Sequence, residues 1–132
     1  MAAASFSPLL FCAVGLGAAL GAWARWLLAV FFNSSPQQLP WGTLAANLIG
    51  GYLIGLVLAV VAAHPEWPAW VRLAAVTGFL GGLTTFSTFS AETMALIEQN
   101  RWGMALAYAG ASLGGSLVLT GLGLWTARVL QG

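Results

Sequence analysis

Four long apolar stretches make up most of this chain, at about residues 9–32, 42–63, 69–97 and 102–130. Each is longer than the roughly 20 residues that an α-helix needs to cross the hydrocarbon core of a bilayer. Only 5% of the residues are charged, whereas a soluble domain carries about 25%. The chain therefore lacks the residues to cover a water-facing surface. The pattern predicts an all-α integral membrane protein in which residues 1–132 form a single domain of four transmembrane helices.

The third apolar stretch contains the run GGLTTFSTFS at residues 81–90, with two glycines and five hydroxyl residues. In hydrocarbon, a helix is broken only where its freed backbone groups meet protein, a polar cavity or an ion. The run therefore predicts a broken third helix with a site at the break. Unwound carbonyl groups at residues 81–84 suit a small monovalent cation, and the N–H groups of the next half-helix favour negative charge. If Gly81 has a positive φ, Gly81→Ala would straighten the break.

Neutral hydrogen-bond donors are the main polar side chains within the predicted spans. Thr43 and Asn47 share one face of the second helix, and Tyr108, Ser112 and Ser116 repeat at helical spacing along the fourth. A cation pathway would need carboxylates or converging carbonyls, and Asp is absent from the sequence. Donors without a full charge suit a small hard anion. Alternatively, each Ser or Thr bonds a carbonyl of its own helix, and Asn47 forms a helix–helix hydrogen bond.

Three further features remain open to more than one interpretation. Phe86 and Phe89 are three residues apart after the break, and their ring edges are positively polarised, although ordinary packing would also explain them. Arg25 lies late in the first span, where it can reach the interface or attract anions to a mouth. Glu92 lies about two turns past the break and is neutralised, paired with an arginine or close to water.

Composition argues against several other classes of protein. Four arginines and no lysine leave no basic patch for nucleic acid, and Cys12 alone supports neither a disulfide nor a metal cluster. We predict no catalytic residues, and hence a protein that is not an enzyme.

Small residues at four-residue spacing allow close helix packing in a membrane, and three glycine pairs have this spacing: Gly17/Gly21, Gly51/Gly55 and Gly110/Gly114.

The arginines give no preferred orientation in the membrane. With four spans, both termini and the second loop share one side, and the first and third loops share the other. Arg72 and Arg128 fall on the first side, while Arg101 and Arg25 fall on or near the second. Positive residues favour cytoplasmic loops, so a count of two against two predicts insertion in both orientations. An antiparallel dimer can then form. Four helices alone are also too few to enclose both a caged cation and a lined pore.

Several segments of the sequence match the pattern of a known family. They are the run at residues 81–90, Gly78-Phe79 before it, GTLAANLIG at residues 42–50 and GAWARW at residues 21–26. Together they resemble the Fluc/CrcB family of bacterial fluoride channels, over essentially the full chain. The resemblance implies a passive, fluoride-selective channel, built as an antiparallel dual-topology homodimer with two pores. It also implies a multi-pass protein of the bacterial plasma (inner) membrane. Such a channel exports fluoride that entered the cytoplasm as neutral HF, which gives fluoride resistance.

The same resemblance implies roles for individual residues. A structural sodium ion at the dimer centre would be bound by the backbone carbonyls of Gly81 and Thr84 from each subunit. Arg25 would lie in the vestibule, and membrane lipid would surround the dimer. The fluoride pathway would consist of Asn47, Phe86, Phe89, Thr43, Thr88, Tyr108, Ser112 and Ser116.

Two other functions are compatible with four apolar helices. A small drug/proton antiporter needs an intramembrane carboxylate, typically in the first helix, but the first span here carries Arg25 and no acid. A non-transporting assembly subunit would use its polar residues only to hold helices together. Fluoride efflux from reconstituted liposomes separates these functions from a fluoride channel.

Overall fold

The chain folds into helices that are long enough and apolar enough to cross a membrane. The computed structural model describes residues 5–132, and within this range all regular structure is helical. Three helices are unbroken, namely Pro8–Phe32, Trp41–Ala63 and Trp102–Gln131. A further spanning segment, Ala69–Glu98, lies between the last two in the sequence. The predicted all-α class, with four segments that can span a bilayer, is confirmed.

The third spanning segment is broken, in agreement with the sequence. Four elements follow one another along it: an α-helical turn at Ala69–Arg72, a π-helix at Leu73–Leu80, an α-helical turn at Gly81–Leu83 and an α-helix at Ser87–Glu98. We refer to the parts before and after the break as its first and second halves. The first half ends at Thr84, whose backbone is extended with φ −86° and ψ 156°.

The break begins later than the two glycines suggested. Gly81 is itself helical, with φ −64° and ψ −36°. Across residues 5–132 no glycine has a positive φ. The condition under which Gly81→Ala would straighten the break is therefore not met. Unwinding starts at Thr84, where hydroxyl residues replace apolar ones.

Glycines place the first helix directly against the first half of the third segment. A Cβ atom on Gly21 would lie 2.0 Å from the Phe79 carbonyl oxygen, and one on Gly82 would lie 2.4 Å from the Ala18 carbonyl oxygen. Only a residue without a side chain permits backbones to approach this closely. Gly82 therefore serves helix packing, and the break directly follows a closely packed helix pair.

The second and fourth helices pack in the same way, but one predicted glycine pair has a different environment. A Cβ atom on Gly55 would lie 2.2 Å from the Thr120 carbonyl oxygen. Around Gly110 and Gly114, by contrast, no described atom lies within 4 Å of the Cβ position. This pair does not mediate helix packing within one subunit.

Large apolar side chains lie mainly on the outside, the reverse of a soluble protein. Leu16 and Phe31 on the first helix are examples, and both are largely exposed. The buried interior is small and forms two clusters. One lies beside the break and contains Ala46, Leu80 and Leu83. The other contains Leu44, Leu96, Ala105 and Tyr108. An outer surface of this kind suits contact with lipid, which needs no polar cover.

Gly21→Ala is expected to destabilise the fold, although alanine is the better helix former. Its methyl group would occupy the space of the Phe79 carbonyl, so the first helix must move, at a cost of about 1–3 kcal/mol or more. Gly15→Ala in the same helix is the matched control, because its Cβ would meet no atom within 4 Å. Thermal melting in detergent should show a lower midpoint for Gly21→Ala alone. Equal melting of the two variants would contradict this packing.

Candidate functional site

The break in the third segment is bound by one side chain of the second helix. Asn47 Oδ1 accepts a hydrogen bond from the Thr85 N–H at 2.8 Å, and Asn47 Nδ2 donates to the Thr85 carbonyl oxygen at 3.1 Å. Both backbone groups of Thr85 are thus satisfied without helical geometry, as backbone at membrane depth requires. The asparagine that the sequence predicts as a pathway residue therefore also stabilises the break.

Two carbonyl groups at the break lose the donors that a continuous helix would give them. The Thr85 N–H would bond the Gly81 carbonyl, but it donates to Asn47 instead. The Thr88 N–H would bond the Thr84 carbonyl, but it donates to Thr85 Oγ1 at 3.1 Å, which caps the second half of the segment. Gly81 and Thr84 are also the two residues whose carbonyls the resemblance implies as cation ligands.

Arg25 lies at the end of the first half of the broken segment. Its Nε donates to the Gly82 carbonyl oxygen at 3.0 Å. A positive charge at the C-terminal end of a helix is favourable, because the last carbonyls carry partial negative charge. Arg25 is half-buried there, and this hydrogen bond connects its side chain to the break. This contact is a third role that the sequence did not suggest.

Three aromatic rings form a row from the open surface to the interior. Phe86 is 78% exposed, and its ring centroid is 5.7 Å from that of Phe89, with the ring planes at 58°. The Phe89 centroid is 5.3 Å from that of Tyr108, with the planes at 49°. Tyr108 is fully buried. Tilted rings at these distances point edges as well as faces into the space beside them.

An open groove of about 570 Å³ runs beside the break, bounded by the second and fourth helices. We call it the break groove. Its walls bring together seven of the site residues that were predicted from the sequence: Asn47, Gly81, Thr84, Phe86, Phe89, Ser112 and Ser116. The residues that line the groove in the described chain carry no charge.

Ser112 supplies an unused hydroxyl group to the break groove. Its Oγ is the one buried side-chain polar atom of residues 5–132 that has no hydrogen-bond partner. A buried polar group without a partner costs about 1–3 kcal/mol, so a ligand that binds this hydroxyl would regain that energy. Ser116 Oγ lies 3.5 Å from the Asn47 carbonyl oxygen, which is beyond the usual hydrogen-bond distance. Neither hydroxyl group therefore has a short hydrogen bond within the described part of the subunit.

Three predicted pathway residues lie outside the break groove. Thr43 Oγ1 donates to Glu92 Oε1 at 2.8 Å, and the Tyr108 hydroxyl donates to Glu92 Oε2 at 2.7 Å. Thr43 is only 1% exposed. Thr88 lies on the first turn after the break, where its N–H bonds Thr85. The Phe89 ring lines the groove and packs against Tyr108, which is one of the two hydroxyl residues bound to Glu92.

The sequence left the environment of Glu92 open between three alternatives. In the structure, the hydrogen-bond partners of Glu92 are hydroxyl groups. Both carboxylate oxygens accept a hydrogen bond, and neither donor is an arginine. Another carboxylate, Glu66 in the second loop, lies 3.0 Å from His64 Nδ1 through its Oε1. Sequence reasoning also missed Asn33, whose side chain bonds Thr43. An asparagine at the end of a helix is common, so its residue type alone carried no signal.

A small multi-pass membrane protein with a broken helix beside a polar groove belongs to a recognisable structural class. In this class such breaks bind ions or small solutes at membrane depth. The model of one family, described as CrcB-like protein, Camphor Resistance (CrcB), matches residues 12–124. The chain belongs to the CrcB family.

Several known proteins are similar to this chain over nearly its whole length. A protein of Bordetella bronchiseptica is 64% identical over 126 residues, which cover 96% of this chain and 97% of that protein. A protein of Bordetella avium is 66% identical over 123 residues, with coverages of 93% and 96%. One of Cupriavidus pinatubonensis is 57% identical over 123 residues, with coverages of 93% and 98%. All three bear the name fluoride-specific ion channel FluC. That name denotes a channel and not an enzyme, so the predicted non-enzymatic character is confirmed.

Proposed function

We propose that this protein is a fluoride-selective ion channel, through which fluoride leaves the bacterial cytoplasm passively, and that it thereby confers fluoride resistance. The observation that carries the proposal is the break groove, which combines neutral donors with aromatic ring edges. The names of the similar proteins from Bordetella and Cupriavidus support fluoride as the ion. The whole chain would act as one four-helix channel domain.

Fluoride is a small and strongly hydrated anion, so a path for it must replace water with other donors. In the break groove, Ser112 and Ser116 offer hydroxyl groups. The Asn47 amide has two N–H donors, of which one bonds Thr85 and the other can bond the ion. Ring edges of Phe86 and Phe89 add positive polarisation. Such neutral groups stabilise the ion without holding it as a full positive charge would, and a tight path excludes larger anions.

Beyond Phe89, the proposed path continues along hydroxyl groups of the neighbouring helices. Phe89 packs against Tyr108, and the hydroxyls of Tyr108 and Thr43 meet at Glu92. Thr88 would join the path on the turn between the break and these hydroxyls. An ion passing here accepts hydrogen bonds that the carboxylate otherwise accepts.

Arg25 is proposed to act in the vestibule at the mouth of the path. Its Nε bond to the Gly82 carbonyl fixes the guanidinium at the break. A positive charge in that position attracts anions and raises their local concentration. The bond also keeps the charge from entering the path, where it would hold the anion too tightly.

A second, antiparallel copy of the chain is proposed to close the break groove. In one subunit the groove is open and Phe86 is 78% exposed beside it, so the proposed path is lined on one side only. The even distribution of arginines allows both orientations in the inner membrane. An antiparallel pair then contains two equivalent paths, and lipid covers the remaining apolar surface.

A structural sodium ion is proposed at the dimer centre, bound by the carbonyls of Gly81 and Thr84 from both subunits. These carbonyl groups are neutral oxygen ligands, which fit a hard monovalent cation. The N–H groups that would bond them in a continuous helix donate to side chains instead. Both residues also line the open groove that a second copy would cover. The ion would brace two broken helices against each other and take no part in transport.

Backbone ligation predicts that Thr84→Ser retains the sodium ion. Gly81→Ala should also retain it, because Gly81 is helical and its nearest neighbour within the subunit, the Val76 carbonyl oxygen, would be 3.7 Å from the new Cβ. Asn47→Ala should weaken binding, since the Thr85 N–H could then return to the Gly81 carbonyl. The measurement is the rise in melting temperature on replacing N-methylglucamine with sodium. A wild-type protein that melts identically in both would contradict the site.

Liposome flux separates the proposed function from its two rivals. Vesicles loaded with potassium fluoride should release fluoride only after valinomycin is added, because a passive channel moves net charge and potassium must follow. A drug/proton antiporter or an assembly subunit would release no fluoride under the same conditions. Rapid release without valinomycin would indicate fluoride movement coupled to protons and would contradict a channel.

A further inference from the structure

One chain of hydrogen bonds near the first loop connects the residue that follows the first helix with residues of the other three spans. The Gly42 N–H donates to Asn33 Oδ1 at 2.7 Å, and Asn33 Nδ2 donates to Thr43 Oγ1 at 3.2 Å. Thr43 Oγ1 donates to Glu92 Oε1 at 2.8 Å, and the Tyr108 hydroxyl reaches the other oxygen at 2.7 Å. The chain thus begins at the N-terminus of the second helix and ends on a carboxylate.

The amide of Asn33 determines the direction of this chain. A backbone N–H can only donate, so the Gly42 N–H requires the amide oxygen on its side, and the NH₂ group then faces Thr43. The Thr43 oxygen therefore accepts from Asn33, and its single proton is left for Glu92. An oxygen in place of the NH₂ group would compete with Glu92 for that proton.

We propose that Asn33 is a positioning residue, which turns the Thr43 hydroxyl toward Glu92 and so holds the carboxylate between Thr43 and Tyr108. Asn33 and Glu92 line the same cleft of about 340 Å³ beneath the first loop. The direction of these hydrogen bonds therefore determines which polar groups face the cleft. The first loop is also tied to the third loop, since Arg101 donates to the Gln37 carbonyl. The flux experiment below rests on the proposed channel function, whereas the melting experiments do not.

Asn33→Asp tests the direction and leaves the helix cap in place. The new carboxylate still accepts from the Gly42 N–H, but it puts a second acceptor beside Thr43, whose one proton cannot serve both Asp and Glu92. We expect the melting temperature to fall. Adding Glu92→Gln should restore most of it, because the Gln amide can donate to Thr43, Thr43 can donate to the new Asp, and Tyr108 can donate to the Gln oxygen.

A Thr43→Val background distinguishes this directional effect from simple charge repulsion. If the recovery of the melting temperature came only from relieved charge repulsion between residues 33 and 92, it would persist without the Thr43 hydroxyl. Directional coupling, by contrast, needs that hydroxyl. The recovery on adding Glu92→Gln to Asn33→Asp should therefore disappear in the Thr43→Val background, as a double-mutant cycle measures. Equal recovery in both backgrounds would overturn the proposal, as would an unchanged melting temperature in Asn33→Asp.

Flux through Asn33→Asp gives the functional readout. It should fall by about threefold to tenfold relative to wild type, the range that corresponds to loss of one hydrogen bond. Wild-type flux with no reduction in Asn33→Asp would overturn the positioning role in transport. If wild-type protein itself conducts no fluoride, the proposed function fails, and the melting cycle still decides whether Asn33 directs Thr43.

Discussion

Replacing Phe86 or Phe89 with Ile should lower fluoride flux by about tenfold while the dimer still forms. Isoleucine keeps most of the side-chain volume but has no polarised ring edge. Aromatic edge interactions contribute about 0.5–1.5 kcal/mol, and each 1.36 kcal/mol at a barrier slows passage about tenfold. The tilt of 58° between the two rings lets both present edges to the same path. The double variant should therefore conduct less than either single variant.

The measurement is the initial rate of fluoride efflux from liposomes at matched protein density. Phe31→Ile is the control, because that ring is 72% exposed on the first helix and does not line the break groove. Size-exclusion chromatography in detergent reports whether the dimer is retained. Wild-type flux in both the Phe86 and the Phe89 variant would assign these rings to packing alone.

Adding about three lysines after the last residue should force one orientation in the membrane and abolish flux. Orientation follows the balance of Lys and Arg between the two sides. In this chain Arg72 and Arg128 oppose Arg101 and Arg25, so a small added charge decides the outcome. Protein facing one way cannot form an antiparallel pair, and the break groove of each subunit stays open.

Co-expression with a copy biased the opposite way, by lysines in the first or third loop, should restore flux. A tail of about three glutamines is the control, since it adds length without charge and should leave flux at the wild-type level. Full activity of the lysine-tailed protein alone, with its single orientation verified by cysteine labelling, would exclude the antiparallel dimer.

The helical class and the four spanning segments were predictable because membrane length and the shortage of charge allow little else. The glycine pairs predicted close packing correctly at Gly21 and Gly55, where backbone oxygens leave no room for a Cβ. For Gly110 and Gly114 no atom of residues 5–132 lies within 4 Å of the Cβ position, so this pair has no packing partner in the described part of one subunit. Spacing alone shows that an approach is permitted and not which partner makes it.

The position of the break could not be read from the sequence, because glycine has two uses. Gly81 and Gly82 suggested unwinding, but both are helical, and Gly82 permits contact with the first helix. The break forms at Thr84, where Asn47 bonds both backbone groups of Thr85. That asparagine lies on another helix, so its effect on the third segment depends on tertiary packing.

The hydrogen-bond partners of Glu92 were hidden for the same reason. A carboxylate in a span indicated a polar environment, but its donors come from two other helices. Thr43 and Tyr108 were predicted from the sequence as pathway hydroxyls, and they meet at this carboxylate. The side chain of Asn33 completes the cluster from the end of the first helix. Only the fold brings these four residues together.

The central claim is that the path beside the break passes fluoride and excludes chloride. Its most direct test follows both ions in the same liposomes, loaded with potassium fluoride and potassium chloride and treated with valinomycin. The account predicts rapid, protein-dependent release of fluoride, while chloride stays inside until detergent opens the vesicles. Release of both ions at similar rates, or of neither, would contradict it.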